Sequence, residues 1–228
     1  MKKHAVIVAG GQGSRMQSDI PKQFLEVAGK PLLMHTLEIF FSFDVSMPLW
    51  LVLPQSEHTR WQQLCEQYDF QIPHYVVVGG SCRPESVYKG VKCINDKSCL
   101  VAVHDGVRPL VDVQLIERSF SVAEKQGSAI AAVPLKDSIR EVTKMGSVSR
   151  NRADYRLMQT PQTFQLSWLL DAYDKLDTLS DFSDEASLVE TAGRRVTLIE
   201  GNYQNIKVTT PEDLWVAEAF LKQKASQK

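Results

Sequence analysis

Over the first 134 residues, short apolar runs alternate with longer segments of helical period. "AVIVA" (5–9), "LWLVL" (49–53), "HYVVV" (74–78), "LVAVH" (100–104) and "AIAAV" (129–133) are continuous and rich in β-branched or bulky residues. Strands buried on both faces of a sheet have this pattern. Between them lie "PLLMHTLEIFF" (31–41), "SEHTRWQQLCEQY" (56–68), "PESVYKGVKCI" (84–94) and "DVQLIERSFSVAEKQG" (112–127). Leu33, Leu37, Phe40 and Phe41 share one helical face. Gly127 supplies the glycine that commonly follows a helix. Strand–helix alternation of this kind predicts an α/β fold, Rossmann-like, with a mostly parallel sheet flanked by helices.

The pattern breaks after Pro134. Residues 135–162, "LKDSIREVTKMGSVSRNRADYRLMQTPQ", are polar, with β-prone residues on either side of "KMGS" (144–147). They hold too few large apolar residues for a core layer, and predict a β-hairpin arm that projects and pairs with a second subunit. The alternation then returns. Helical "LSWLLDAYDKL" (166–176) and "DEASLVETAG" (184–193) precede extended "RVTLIEG" (195–201) and "YQNIKVTT" (203–210). A last helix starts at Pro211, with Thr210 as N-cap and Asp213 at the capping-box position. With no linker-like stretch or repeat, residues 1–228 read as one domain carrying a dimerisation arm.

Composition narrows the partners. Twenty-six Lys and Arg against 27 Asp and Glu give a formal net charge of −1. No field of one sign covers the chain, which argues against a nucleic acid as partner and leaves room for a small anion. Cys65, Cys82, Cys93 and Cys99 are scattered, without C-x-x-C pairs or histidines at metal-ligand spacing. They read as free cysteines of a cytoplasmic protein. No apolar run approaches the length of a membrane span, and the N-terminal run is too brief for a signal peptide.

Candidate chemistry concentrates at "HAVIVAGGQGSRMQSDIPKQF" (4–24). Gly10, Gly11 and Gly13 let backbone N–H groups approach phosphate oxygens without an intervening Cβ. A Walker loop is absent, because no Gly-Lys-Ser/Thr occurs. The dinucleotide fingerprint fails where Met16 replaces its last glycine. Arg15 adds a planar fork of donors and Lys22 a compact point charge. Two solvated cations on a glycine turn are the plain alternative. Pro21 speaks for function, since a proline fixes where the lysine points.

"AGGQGSRM", "PKQF" and "GKPLLMHTL" resemble the sugar nucleotidyltransferases, and among them the cytidylyltransferases of the methylerythritol phosphate (isoprenoid) pathway. The likeness continues through "GG" (79–80), "RPESV" (83–87), "HDGVRP" (104–109), "TPQTF" (160–164), "SDEASLVE" (183–190) and "NIKVTTPEDL" (205–214). Three stretches depart from the family's usual pattern. Ala9-Gly10-Gly11 stands for Ala-Ala-Gly, "HDGVRP" for His-Asp-Ala-Ala-Arg-Pro, and Asn151 for the Asp before the arm arginine. The Gly-Gly form also occurs in related ribitol-5-phosphate cytidylyltransferases, whereas the spacing of Arg15 and Lys22 is that of the methylerythritol enzymes.

The resemblance implies transfer of CMP from CTP to 2-C-methyl-D-erythritol 4-phosphate, with release of pyrophosphate. Ribitol 5-phosphate as acceptor, or a non-catalytic nucleotide-binding regulator, are the alternatives. It further implies that the backbone from Ala9 to Gly13 holds the triphosphate, with Arg15 and Lys22 catalytic. Gly80, Arg83 and Ser86 would lie against cytosine and ribose. Asp105 would contact ribose, substrate hydroxyls or Mg²⁺. Arg108, Arg152 and Lys207 would take the polyol phosphate, with Ser138, Thr160 and Ser183 as hydroxyl partners. Ser183 could instead cap the helix that follows it. His104 reads as a packing or supporting residue rather than a catalytic base. Arg152 would reach the neighbouring subunit of a homodimer.

Overall fold

The computed structural model describes residues 1–11, 16, 20–176 and 182–226. The expected alternation forms with small shifts at the ends. Strand β1 (Lys3–Val8) is followed by a small hairpin of β2 (Glu26–Val27) and β3 (Lys30–Pro31), then α1 (Leu32–Phe43). β4 (Leu49–Leu53), α2 (His58–Gln67), β5 (Tyr75–Val78), α3 (Arg83–Lys92), β6 (Leu100–Asp105), α4 (Val113–Gln126) and β7 (Ser128–Pro134) come next. Asp112 caps α4 by accepting from the Leu115 N–H at 2.7 Å, and Gly127 ends it with φ +85°, a conformation that suits glycine. The arm is β8 (Ile139–Thr143) and β9 (Gly146–Arg150). β10 (Arg156–Gln165), α5 (Leu166–Lys175), α6 (Glu185–Thr191), β11 (Leu198–Glu200) and α7 (Pro211–Ala225) complete the chain.

One sheet has the order β11-β7-β10-β6-β1-β4-β5. All of its pairings are parallel except those of β10, which runs antiparallel to both β6 and β7. Each face of the sheet carries its own core. Ala5 and Ile7 of β1 join Leu33, Leu37 and Phe40 of α1 and Ile116 and Phe120 of α4. Val6 and Val8 point the other way, onto Val87 and Val91 of α3 and Leu166 and Leu169 of α5. The strand period of two thus sends alternate residues into two helical layers.

β10 corrects the expected bounds of the arm. Residues 156–162 belong to the sheet, and the arm is the hairpin of β8 and β9, turned at Lys144 and Met145. β10 buries polar side chains and satisfies them individually, so apolar content does not reveal it. Gln162 donates to Asp184 at 2.9 Å and accepts from the Ala186 N–H at 3.0 Å, and Thr163 donates to Ser119 at 2.9 Å. Pro161 is accommodated where the register shifts between Met158 and Gln162. Residues 203–210, expected as extended strand, form turns and irregular backbone. Their anchor is the Val208 N–H, which donates to the Val107 carbonyl at 2.9 Å, while Val208 packs with Val107 and Ala217. The predicted capping box of α7 is present, with the Asp213 carboxylate accepting from the Thr210 N–H at 2.9 Å.

Candidate active site

Ligands of open α/β sheets bind beyond the carboxyl ends of the parallel strands. There β1 runs into Ala9-Gly10-Gly11, β4 into Pro54, and β6 ends at Asp105; β5 leads through Gly79-Gly80 into α3. A cavity of about 760 Å³ opens at this place. It is lined by Ala9, Gly10, Gly11, Lys22, Gly80, Arg83, Ser86, Asp105 and Lys207, together with Gln23, Pro54 and Glu57. Nine of the residues singled out from the sequence therefore meet at one place, within the size range of small-molecule sites. Gly13 and Arg15 lie outside the described residues.

Local folding explains how these groups are aimed. Pro21, with φ −55°, leads into a 3₁₀ turn over Lys22–Phe24, closed by Phe24 N–H donating to the Pro21 carbonyl at 2.8 Å. Phe24 is buried and stacked on Trp61, so the turn carrying Lys22 is anchored from behind. Ser86, one turn into α3, accepts from the Gly80 N–H at 2.9 Å and donates to the Cys82 carbonyl at 2.9 Å. Its hydroxyl therefore shapes the Gly79-Gly80 bend.

Asp105 is the centre of the charge pattern. Arg83 Nε reaches its Oδ1 at 3.3 Å, while Arg108 Nε at 3.2 Å and Lys207 Nζ at 3.1 Å take Oδ2. Burial alone would raise the pKa of this carboxyl, but Arg83, Lys207 and Arg108 outweigh it and hold it well below the usual carboxylate range. Arg108 also donates to the Asn205 carbonyl at 2.8 Å. The segment before Lys207 is thereby tied to β6. Three cations on one carboxylate leave positive charge beside the glycine loop, as an anionic ligand requires.

Behind Asp105 sits a neutral histidine. His104 is fully buried, and burial pushes its pKa down to about 3. Its Nε2 faces the Arg108 carbonyl at 3.3 Å. A carbonyl only accepts, so Nε2 carries the hydrogen, and Nδ1 accepts from the Thr160 hydroxyl at 3.0 Å. Thr160 Oγ1 in turn accepts from the Asp105 N–H at 3.1 Å. The single hydroxyl proton of Thr160 is thus committed to His104, and Thr160 supports Asp105 from the interior.

The remaining sequence candidates are elsewhere in the chain. Ser138 and Arg152 are exposed at the arm, and Arg152 donates to the Lys136 carbonyl. Neither lines the cavity. Ser183 is exposed before α6 and does not cap it. That role belongs to Asp184, whose side chain accepts from the Ser187 N–H at 3.1 Å. The sequence reading missed Gln23, Glu57 and Glu185. Glu185 is fully buried and accepts from Arg83 Nη1 at 2.8 and 3.0 Å. In the sequence it is simply an acid at a helix start, where acids are common.

Two of the departures from the usual pattern can be compared sterically. A Cβ at Gly10 would meet nothing closer than 3.9 Å, so either Gly or Ala fits there. A Cβ at Gly106 would stand 2.8 Å from Leu33 Cδ1 and 3.0 Å from Ala9 Cβ, so here the smaller residue is matched to Leu33. As for a metal, no group of three His, Cys, Asp or Glu side chains among the described residues could hold one. The carboxylates at the cavity are Glu57 and Asp105. One or two carboxylates suit Mg²⁺ only as an ion held largely by a ligand's phosphates.

A glycine-edged, cation-rich cleft at the carboxyl ends of a mostly parallel sheet defines a protein of the nucleotidyltransferase class. Residues 3–223 match the sequence profile of IspD, 2-C-methyl-D-erythritol 4-phosphate cytidylyltransferase, and the chain belongs to that family. It is 46% identical over 221 residues to the 2-C-methyl-D-erythritol 4-phosphate cytidylyltransferase of Phocaeicola vulgatus, covering 97% of this chain and all of the relative. The Bacillus licheniformis protein of the same name is 41% identical over 224 residues, 97% of this chain and 96% of the relative. Among solved structures, 4-diphosphocytidyl-2C-methyl-D-erythritol synthase from Anaerococcus prevotii superposes with a TM-score of 0.83 at 29% identity, covering 97% and 96% of the two chains.

Proposed function

We propose that this chain transfers CMP from CTP to 2-C-methyl-D-erythritol 4-phosphate through the cavity described above. The observation that carries the reading is the convergence of the glycine loop, Lys22, Arg83, Asp105 and Lys207 in a chain of this family. A phosphate oxygen of the polyol phosphate attacks the α-phosphorus of CTP. The bond from that phosphorus to the β-phosphate bridging oxygen breaks, and pyrophosphate leaves with the electron pair. The nucleophile is already anionic at neutral pH, so no general base is needed. The work is positioning and neutralising charge. Backbone N–H groups of Gly10 and Gly11 face the triphosphate, and Lys22 and Arg15 stabilise charge that develops at the α-phosphorus. Gly80, Arg83 and Ser86 take the nucleoside half. Arg108 and Lys207 attract the acceptor phosphate. Mg²⁺ arriving on the triphosphate, with Asp105 as its protein carboxylate, would supply further neutralisation.

The same reading makes the protein a cytoplasmic homodimer. No helix among the described residues is long and apolar enough to cross a membrane. The arm exposes Val142 (84%), Met145 (99%) and Val148 (49%), apolar area that a second chain would cover. Arg152, at the arm's base, would then serve the partner's cavity, with Ser138 beside it.

Pyrophosphate release tests the assignment. CTP with 2-C-methyl-D-erythritol 4-phosphate should turn over far faster than CTP with ribitol 5-phosphate, and far faster than UTP, ATP or GTP with either acceptor. Preference for ribitol 5-phosphate would reassign the acceptor. Tight CTP binding without turnover of either acceptor would make the chain a nucleotide-binding regulator.

A further inference from the structure

Glu185, the buried ion-pair partner of Arg83, does not line the cavity and has no part in the chemistry above. Glu185 is the first residue of α6, has no exposed surface, and is 102 residues from Arg83 in the chain. Both of its oxygens accept from the same nitrogen, Nη1 of Arg83, at 2.8 and 3.0 Å. Arg83 Nε is taken by Asp105 Oδ1. Among the described residues no hydrogen bond takes the third nitrogen, Nη2, and Arg83 lines the cavity.

A guanidinium is planar, so fixing two of its nitrogens fixes the direction of the third. Neither carboxylate does this alone. Asp105 is shared with Arg108 and Lys207 on its Oδ2 side, whereas Glu185 has Arg83 as its only ion-pair partner among the described residues. Glu185 is itself held in place. Asp184 before it accepts from Gln162, and the amide of Ala186 after it donates to Gln162, so the start of α6 is pinned to β10. Holding an ionised carboxylate in a fully buried place is costly unless it is paired, and a purely structural position would be served as well by an apolar side chain.

We propose that Glu185 is a positioning residue for the nucleotide: together with Asp105 it sets the plane of Arg83, so that Nη2 is presented to CTP before CTP arrives. The proposal rests on the cytidylyltransferase reading. On that reading Arg83, on the Oδ1 side of Asp105 with Gly80 and Ser86, serves CTP, while Arg108 and Lys207 on the Oδ2 side serve the acceptor. Glu185 touches neither substrate.

The test uses the full chain, with CTP binding measured by calorimetry and both substrates varied in steady-state kinetics. Glu185→Gln keeps the shape, removes the charge, and sets an amide N–H₂ or a lone oxygen against Arg83. It should raise the Kd and KM for CTP about tenfold or more, the scale of a lost hydrogen bond to a charged group. The KM for 2-C-methyl-D-erythritol 4-phosphate and the kcat at saturating CTP should stay as in the wild type. Arg83→Met should weaken CTP binding too, and the double variant should bind CTP no more weakly than Arg83→Met alone. Its thermal midpoint should exceed that of Arg83→Met, because the double variant carries no unpaired buried carboxylate. Wild-type CTP affinity in Glu185→Gln, or losses that multiply in the double variant, would overturn the proposal. Should Glu185→Gln not fold, Glu185→Asp replaces it; its shorter stem should also raise the CTP Kd, and an unchanged Kd overturns the proposal equally. A wild-type chain that binds CTP but releases no pyrophosphate would defeat the cytidylyltransferase reading, while calorimetry would still decide for or against Glu185.

Discussion

Lowering the pH from 7.5 to 4.5 should destabilise this protein partly through one side chain, His104. Its imidazole is fully buried and kept neutral, with its pKa pushed down to about 3 by burial, against 6.5 for the ordinary side chain. Protonation would place an N–H where Nδ1 now accepts the Thr160 hydroxyl, leaving that hydroxyl proton without a partner next to the Asp105 amide. Because the folded pKa is the lower one, the stabilisation is complete above pH 6.5 and drains away as pH falls toward 3. In that window the unfolded chain takes up a proton that the folded chain refuses, at about 1.4 kcal/mol per pH unit. Between pH 7.5 and 4.5 the loss integrates to about 3 kcal/mol, a substantial part of the about 5–15 kcal/mol that holds a typical domain together. Burial also lowers the pKa of His35, His74 and His4, so the absolute pH slope contains their contributions. The comparison with His104→Asn isolates one site, since Asn keeps an acceptor for Thr160 and cannot titrate. Urea unfolding of both proteins at the two pH values is the assay. The variant should be less stable at pH 7.5 yet lose about 3 kcal/mol less than the wild type on acidification. Equal losses in the two proteins would refute the reasoning, since His104 would then bind its proton alike in both states.

Lys22→Ala should lower kcat by roughly 10²–10³-fold, the cost of one preorganised charge-stabilising donor, with a much smaller change in the KM for the polyol phosphate. A change confined to KM would mean that Lys22 binds ground-state phosphate only. If Arg152 serves the partner's cavity, mixing inactive Lys22→Ala and Arg152→Ala dimers should restore about a quarter of wild-type activity after random subunit exchange, because mixed dimers carry one intact site. Exchange demonstrated by mass spectrometry of differently tagged chains, with no recovered activity, would place Arg152 within its own chain's site.

How far the chain could be read without its structure depends on the range of each interaction. The strands at 49–53, 100–105 and 128–134 were legible, because burial on both faces demands uninterrupted apolar runs and turn residues mark their ends. The run at 75–78 reads the same way, yet it is an edge strand with Tyr75, Val76 and Val78 exposed, which corrects the expected burial. Gly10, Gly11 and Lys22 were legible as candidates from the local chemistry of one loop, and Asp105 and Lys207 from the family resemblance of the blocks that hold them. β10 was not legible. Apart from Pro161 and Phe164 its interior side chains are Gln and Thr, and a polar side chain reads as exposed until its partner on another element is known. Ser183 illustrates the converse, a motif residue left in solvent while its neighbour Asp184 caps the helix. Arg83, Arg108 and Lys207 were separate candidates in the sequence, and nothing there shows that the three share the two oxygens of Asp105. Arg83 meets Glu185 across 102 residues only because α3 and α6 pack on the same face of the sheet. Sequence by itself determined the periods, the turns and the glycine loop, all of which are set by neighbours along the chain. Which buried carboxylate meets which cation was decided by strand order, and strand order exists only in the folded protein.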